Sequence, residues 1–311
     1  MKVLRVHQYG GLLQIDEVID PVAKPGQVVV RNLATSLNPI DPVRASGVMR
    51  QIFPIEFPWI PGGDVSGVVE SVGEGVTEFK IGDPVFGYSV PGGAYAELVA
   101  VDITTIAMRP AELSVEQAAA VAVVGQTAIQ ALQLAEIGTG KTSAAKTILI
   151  HGGSGGVGTL AIQLAHKEGA TVITTAQEEQ KEALLRLGAD RVIDHTRERF
   201  EDELQPVDVI LDLVGRETLA RSYARVKRGG ILVTANQPPD PQECEAHGIR
   251  GFMVQTKVTT ESLSDFSARV KAGVVVPIVD HAETLWNPDS LWAKRPSGNT
   301  VGKIVFTVSA F

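Results

Sequence analysis

A β-branched run, Thr147 to Ile150, leads straight into the turn Gly153-x-Gly155-x-x-Gly158, and the segment after it, Thr159 to Lys167, has the apolar spacing of a helix. Among 31 glycines a triplet alone says little, but strand, turn and helix in this order give it a mechanism. The first glycine permits the tight turn, the second lets backbone approach a pyrophosphate, and the third lets helix and sheet pack closely. Unpaired N–H groups at the helix start then favour an anion, which assigns Gly153, Ser154, Gly155, Gly156, Val157 and Gly158 to a dinucleotide phosphate cradle.

The surroundings of this turn set the fold class. From Lys146 onward, strand-like runs (Thr147–Ile150, Thr171–Thr175, Arg191–Ile193, Val207–Leu211, Ile231–Thr234) alternate with helical segments such as Glu178–Leu187 and Thr218–Val226. That alternation predicts an α/β architecture, a doubly wound parallel Rossmann sheet, with a sixth strand near Ile249–Val254. Before residue 115 the pattern differs. Short β-prone runs (Val28–Arg31, Val65–Val72, Pro84–Phe86, Tyr95–Val101) are separated by glycine and proline turns, which suits a strand-rich, barrel-like domain. Ser114, followed by Glu116 and Gln117, is the expected N-cap of a helix running to Leu134. After residue 262 a helix (Leu263–Lys271) and strands at Val274–Pro277 and Lys303–Val308 are expected to rejoin the first part. The chain therefore divides into a discontinuous strand-rich unit, residues 1–116 and 263–311, and a dinucleotide-binding unit, residues 117–262.

Charge and composition narrow the function classes. A net charge of −8 gives no general attraction to nucleic acid or anionic membranes, and the basic segment Arg221–Arg228 reads as a solvated face. The longest apolar stretch, Ala118–Val124, is too short to span a bilayer. The single cysteine, Cys244, excludes an intrachain disulfide and any multi-cysteine metal site. The first residues lack the apolar run of a signal peptide, so a cytoplasmic protein is expected.

Further motifs run through the whole chain: Asn38-Pro39-Ile40-Asp41, Pro61-Gly62-Gly63-Asp64-Val65-Ser66-Gly67, Phe79-x-x-Gly82-Asp83-x-Val85-x-Gly87, Gly92-Gly93-Ala94-Tyr95-Ala96-Glu97, Gly125-x-Thr127, Leu187-Gly188-Ala189-Asp190 and Gly302-Lys303-Ile304-Val305. In this set and order the chain resembles the medium-chain dehydrogenase/reductase superfamily, and within it the zinc-free quinone oxidoreductase branch. The resemblance implies a GroES-like catalytic domain beside the Rossmann sheet, a nicotinamide cofactor, and a homodimer paired through the edge strand near Ile249–Val254. Two stretches depart from it. Pro42–Gly47 lacks the tyrosine usual after Asn-Pro-x-Asp and carries its arginine, Arg44, one position early. The segment Trp286–Thr300 is interrupted by Pro288 and Pro296.

Against the zinc-dependent relatives, Asn38 occupies the place of the first cysteine ligand and Gly62-Gly63-Asp64 that of Gly-His-Glu. The six histidines form no i, i+4 pair, so no metal site is expected. Without a Lewis acid, conjugated acceptors, whose π system already receives the hydride's charge, are the substrates least in need of help.

The resemblance places Asn38 near nicotinamide and substrate, where its amide could orient an oxygen atom or merely form a turn before Pro39. Asp41 and Asp64 could order water or relay a proton, with a turn role preferred for Asp64. Arg44 could bind an acceptor oxygen or pair with Asp41. The Thr127 hydroxyl reaches either the cofactor or a local helix carbonyl. Val214-Gly215 and Ala235-Asn236 follow the fourth and fifth strands, at the carboxyl ends where ligands bind. At the end of the second strand Ala176 replaces the acidic residue of NAD-selective folds, and Lys181 and His195 lie near enough for a 2′-phosphate, which predicts NADPH; Glu178 and Glu179 argue the other way unless they are solvated first-turn residues. The expected activity is hydride transfer to a quinone or other conjugated carbonyl compound. A 2-alkenal or enoyl reductase saturating a C=C bond, and a nucleotide-binding regulatory protein with little turnover, are the rival readings.

Overall fold

The structure, a computed structural model, describes residues 1–138, 146–292 and 300–308. A short hairpin, β1 (Lys2–Arg5) and β2 (Gln14–Glu17), opens the chain. The long strand β3 (Gln27–Ser36) follows, then helix α1 (Ile40–Ala45) and strands β4 (Asp64–Val72), β5 (Pro84–Tyr88), β6 (Leu98–Asp102) and β7 (Ile106–Met108). Helix α2 (Val115–Leu134) leads to the second half. There strands β8 (Thr147–His151), β9 (Thr171–Ala176), β10 (Arg191–Asp194), β11 (Val207–Asp212), β12 (Val226–Thr234) and β13 (Arg250–Met253) form one sheet. Helices α3 (Gly156–Lys167), α4 (Lys181–Arg186), α5 (Phe200–Glu203), α6 (Glu217–Ser222) and α7 (Pro241–His247) connect them. The chain ends with α8 (Thr260–Lys271), β14 (Val279–Thr284), α9 (Pro288–Leu291) and β15 (Lys303–Thr307).

The second sheet is parallel throughout in the order β10-β9-β8-β11-β12-β13. Strand order reverses between β8 and β11, and a doubly wound sheet opens its ligand crevice at such a switch point. All six sequence-predicted strands are present, and α3 starts three residues earlier than its apolar spacing suggested, inside the glycine-rich turn. The first half is antiparallel from β15 to β7, in the order β14-β15-β3-β4-β5-β7 with β6 on the other side of β3. β15 pairs with β3, so the end of the chain does return to the strand-rich half.

The expected strand at Val274–Pro277 is absent. Pro277 has no N–H to give a ladder. The Gln163 amide bonds instead to the backbone of Val276, accepting from its N–H at 2.8 Å and donating to its carbonyl at 3.0 Å, and the strand begins two residues after the proline. Pro288 starts the short helix α9, whereas Pro296 lies outside the described residues.

Helix α2 holds the halves together. It is apolar nearly all round, as a helix buried on every side must be. Its alanines let neighbouring backbones approach closely, and one core cluster runs from Ala34, Phe86 and Val305 through α2 to Ile148, Ile150 and Leu160. Among the described residues no helix is long and apolar enough to cross a membrane. The helix begins at the expected cap: Ser114 Oγ accepts from the Gln117 N–H, and the Gln117 side chain accepts from the Ser114 N–H. Ser114→Ala should lower stability by about 1 kcal/mol. Urea denaturation should show this as a lower midpoint at unchanged slope.

Candidate active site

The glycine-rich turn shows two different uses of glycine. A Cβ on Gly153 would collide with the Thr174 side chain of β9, and one on Gly158 with the Gly152 carbonyl, so both are glycines for close packing. A Cβ on Gly155 meets only the Gly152 carbonyl oxygen at 3.5 Å, an ordinary contact, and Gly155 is exposed. What a side chain there would fill is the open space over the helix start. No side-chain hydrogen bond caps α3, so no side chain covers the first turn of the helix. The turn thus fits a pyrophosphate. It is also fixed to the other half of the molecule: Gly302 N–H donates to the Ser154 carbonyl at 2.8 Å.

That contact delivers Lys303 into the crevice. A Cβ on Gly156 would lie 2.6 Å from Lys303 Cδ, so the lysine stem covers the first residue of α3. Its Nζ donates to the Leu37 carbonyl and, at 2.8 Å, to Asn38 Oδ1. Asn38 Nδ2 donates to Asp64 Oδ2 at 2.6 Å, the oxygen that also accepts from Ser36 Oγ at 2.6 Å. Asp64 Oδ1 accepts from the Val123 N–H of α2 at 3.0 Å. A continuous buried network therefore runs from the phosphate turn through Lys303 and Asn38 to Asp64. The amide of Asn38 is held at both ends, so the local turn role considered for it is too small. Asp64 is not a turn residue either, since it opens β4 and bonds to three partners.

The remaining sequence candidates separate clearly. Asp41 is buried, where its Oδ2 accepts from the Asn38 N–H at 3.0 Å and the Tyr95 hydroxyl at 3.2 Å. Arg44 does not pair with it. The guanidinium lies over the Trp59 ring, 4.8 Å from its centroid, and donates to the Pro91 carbonyl at 2.6 Å. Thr127 takes the local role, bonding the Val123 carbonyl at 2.9 Å and Thr256 Oγ1 at 2.8 Å. Ala176 ends β9 and is buried, with the His195 N–H on its carbonyl. Lys181 Nζ lies 3.4 Å from Glu178 at the surface. At the ends of β11 and β12, Asp212 Oδ1 accepts from the N–H groups of Val214 and Gly215, the Ala235 N–H donates to the Asp212 carbonyl, and Asn236 Nδ2 donates to the Leu213 carbonyl. These residues line the carboxyl edge of the sheet, as expected of cofactor-side loops.

Sequence reasoning missed Lys303 and Tyr88. A lysine at the first position of an otherwise apolar strand was the available signal for Lys303. Tyr88 ends β5 directly opposite Asp64, with its ring against Gly63. The donor set around Gly63 does not fit zinc: an asparagine amide held at both ends, a glycine, a carboxylate already satisfied three times, and a phenol. Among the described residues no group of three or more His, Cys, Asp or Glu side chains is placed to hold a metal ion.

The electrostatics of the network follow from burial. Desolvation pushes Asp41 from 3.8 up to about 6, against the Asn38 N–H and the charge of Lys303. Desolvation likewise raises Asp64, with Lys303 the strongest opposing influence, and lowers Lys303, with both carboxylates opposing. A carboxyl raised in the fold binds protons more tightly there than in the unfolded chain. Its stability contribution is therefore fully present at acid pH and declines as pH rises through the folded value. Lys303 limits that decline. Lys303→Met should cost about 3 to 5 kcal/mol near pH 8, where both carboxylates would be charged without their cation. The gap to the wild type should narrow below pH 6, as Asp41 takes up its proton. Urea titrations at pH 5 and pH 8 measure it, and an equal gap at both would remove the ionic role of Lys303.

Comparison with known proteins agrees with this arrangement. Residues 24–111 match the alcohol dehydrogenase GroES-like domain, and residues 156–263 the family described as zinc-binding dehydrogenase. The mouse quinone oxidoreductase is 32% identical over 294 residues, covering 88% of this chain and 86% of that protein. The NADPH-dependent alkenal/one oxidoreductase of Arabidopsis thaliana chloroplasts is 33% identical over 293 residues, covering 90% of this chain and 72% of its own length. The crystal structure of Escherichia coli quinone oxidoreductase complexed with NADPH superposes with a TM-score of 0.88 at 26% identity, covering 99% of this chain and all of that one. With a GroES-like barrel, a parallel sheet carrying the phosphate turn, and these relatives along nearly its whole length, the chain belongs to the medium-chain dehydrogenase/reductase superfamily, in its quinone oxidoreductase-like branch, and is an oxidoreductase.

Proposed function

We propose that this protein is an NADPH-dependent, zinc-independent reductase of quinones and other α,β-unsaturated carbonyl compounds. The observation that carries this reading is the meeting of an open phosphate turn with the Asn38 amide, which Lys303 and Asp64 hold at its two ends. Residues 117–262 serve as the cofactor unit, and residues 1–116 with 263–311 as the substrate unit. The N–H groups of Ser154 and Val157 hold the pyrophosphate, and Lys303 and Asp64 fix the Asn38 amide between phosphate turn and substrate. When bound, the nicotinamide supplies the hydride. The chain's own part is positioning and exclusion of water. A conjugated acceptor spreads the incoming charge over its own π system, so hydrogen bonds suffice where a simple alcohol would need a metal to stabilise its alkoxide.

NADPH is favoured over NADH by the missing carboxylate. Ala176 stands where an acidic side chain would bind the ribose diol and repel a 2′-phosphate. The relatives whose names specify NADPH support the same choice. The free edge of β13 is the place where a second copy extends the parallel sheet, which would make a homodimer.

Two measurements test this reading. Gly155→Val should abolish NADPH binding while leaving the unfolding midpoint near that of the wild type, because the new side chain enters the space above the turn rather than the core. Unchanged NADPH affinity by fluorescence titration would remove the cradle. A panel of quinones, enones and simple alcohols, run with each nicotinamide before and after prolonged chelation, should show turnover of conjugated acceptors with NADPH that chelation does not reduce. Alcohol oxidation lost on chelation and restored by zinc would overturn the proposal, as would nucleotide binding without turnover of any acceptor.

A further inference from the structure

Beside Gly63 the polar side chains of Asn38, Asp41 and Asp64 are committed to protein partners, whereas Ser66 Oγ, sealed in the core, has none. Asn38 is held between Lys303 and Asp64, Asp64 by three donors, and Asp41 by Asn38 and Tyr95. Ser36 donates to Asp64, and Ser89 to the Gly92 carbonyl. Tyr88 differs: its hydroxyl has no hydrogen-bond partner among the described residues, and its side chain is half-buried rather than sealed in the core. A half-buried phenol is partly stripped of water, so a donor left unpaired there invites a ligand acceptor.

The position of this phenol is specific. Tyr88 pairs with Asp64 across the β4–β5 ladder, which puts both side chains on the same face of the sheet. A Cβ on Gly63 would lie 2.7 Å from the Tyr88 hydroxyl oxygen and would overlap its ring. The aromatic ring therefore occupies the volume that a side chain at position 63 would use. In the metal-dependent relatives that position carries a zinc-binding histidine. In this chain the ring brings a hydroxyl group to the face of the sheet that carries Asp64, the carboxylate at the far end of the network from Lys303.

We propose that the Tyr88 hydroxyl is a catalytic hydrogen-bond donor that holds the carbonyl oxygen of a conjugated acceptor, the oxygen on which negative charge grows during reduction. The proposal rests on the reductase reading above and names the residue through which that reading works. It also answers a departure in the sequence, since Pro42–Gly47 has no tyrosine and Tyr88 supplies a phenol from a different strand. Burial, and then the negative charges of Asp64 and Asp41, raise the pKa of the phenol above its ordinary value, with Arg44 opposing. Tyr88 thus keeps its proton and donates throughout the neutral range. No bond to the tyrosine oxygen is broken.

Tyr88→Phe removes the hydroxyl and leaves the ring against Gly63, so the fold and the phosphate turn are untouched. With NADPH and an enone such as 2-cyclohexen-1-one, kcat/KM should fall on the order of 100-fold, the effect of deleting one donor to a developing oxyanion. NADPH affinity, measured by fluorescence, should not change. A second readout is independent of turnover. The C=O stretch of the enone bound to the NADP+-loaded wild type should move to lower frequency than in water-excluded solvent, and that shift should be lost in Tyr88→Phe. Wild-type turnover matched by Tyr88→Phe, with the same C=O frequency in both, would overturn the role of Tyr88 while leaving the reductase reading standing. A wild type that binds NADPH but reduces no conjugated carbonyl would overturn the reductase reading itself.

Discussion

The carboxylate of Asp64 is where the two halves of the molecule agree on a common position. It accepts from Ser36 and Asn38 at the end of the barrel's long strand and from an N–H in the interior of α2. Through Asn38 it reaches Lys303, whose stem rests on the first residue of the phosphate-binding helix. The apolar core that crosses the interface supplies most of the cohesion, but burial is non-directional and tolerates sliding. Short charge-assisted hydrogen bonds in a dry site do not. Burying two carboxylates and an ammonium costs more than an apolar packing would, so stability alone does not explain them. What they provide is a fixed relation between the glycine-rich turn of one half and the strand ends of the other.

The same need for registry explains which parts of the fold were legible in the sequence. The parallel sheet was readable strand by strand because each run is short, β-branched and flanked by turns, and the Ser114 cap was readable because capping is local. Val274–Pro277 misled because composition reports β propensity but not the absence of an N–H at Pro277 or the arrival of Gln163 from a distant helix. The site was legible in its list of residues more than in their relations. Asn38 and Asp64 stand in motifs of their own, yet Lys303 is separated from Asn38 by most of the chain, and no local pattern joins them. Tyr88 is harder still. Its importance comes from a glycine 25 positions earlier in the chain, and only the β4–β5 register makes them neighbours.

Glycine positions carry two kinds of information that a motif treats alike. At Gly153, Gly156 and Gly158 a side chain would strike protein, so those positions report the packing of turn, sheet and Lys303. At Gly155 a side chain would strike nothing of the protein beyond an ordinary contact, so its smallness serves something outside the chain. Gly63 belongs to the first kind, and there the striking group is the ring of Tyr88. The glycine at position 63 and the placement of the phenol are therefore one steric fact: the ring fits only because position 63 has no side chain.

Electrostatics indicates why a neutral donor suits this crevice. The network holds two carboxylates to one ammonium, and burial raises Asp41 to about 6, so above that pH Asp41 adds a negative charge to the site. A further carboxylate at the substrate oxygen would be repelled by that charge and would oppose the anion formed during reduction. A lysine or arginine would be drawn into the carboxylates, as Lys303 is, and held away from the substrate. A phenol avoids both outcomes. It carries no charge for the network to capture, its pKa is pushed away from neutrality by burial and then by the same carboxylates, and its O–H dipole would strengthen its bond as charge accumulates on the proposed acceptor. Within a buried site of this sign, a hydroxyl on a rigid ring is the donor that stays free to act.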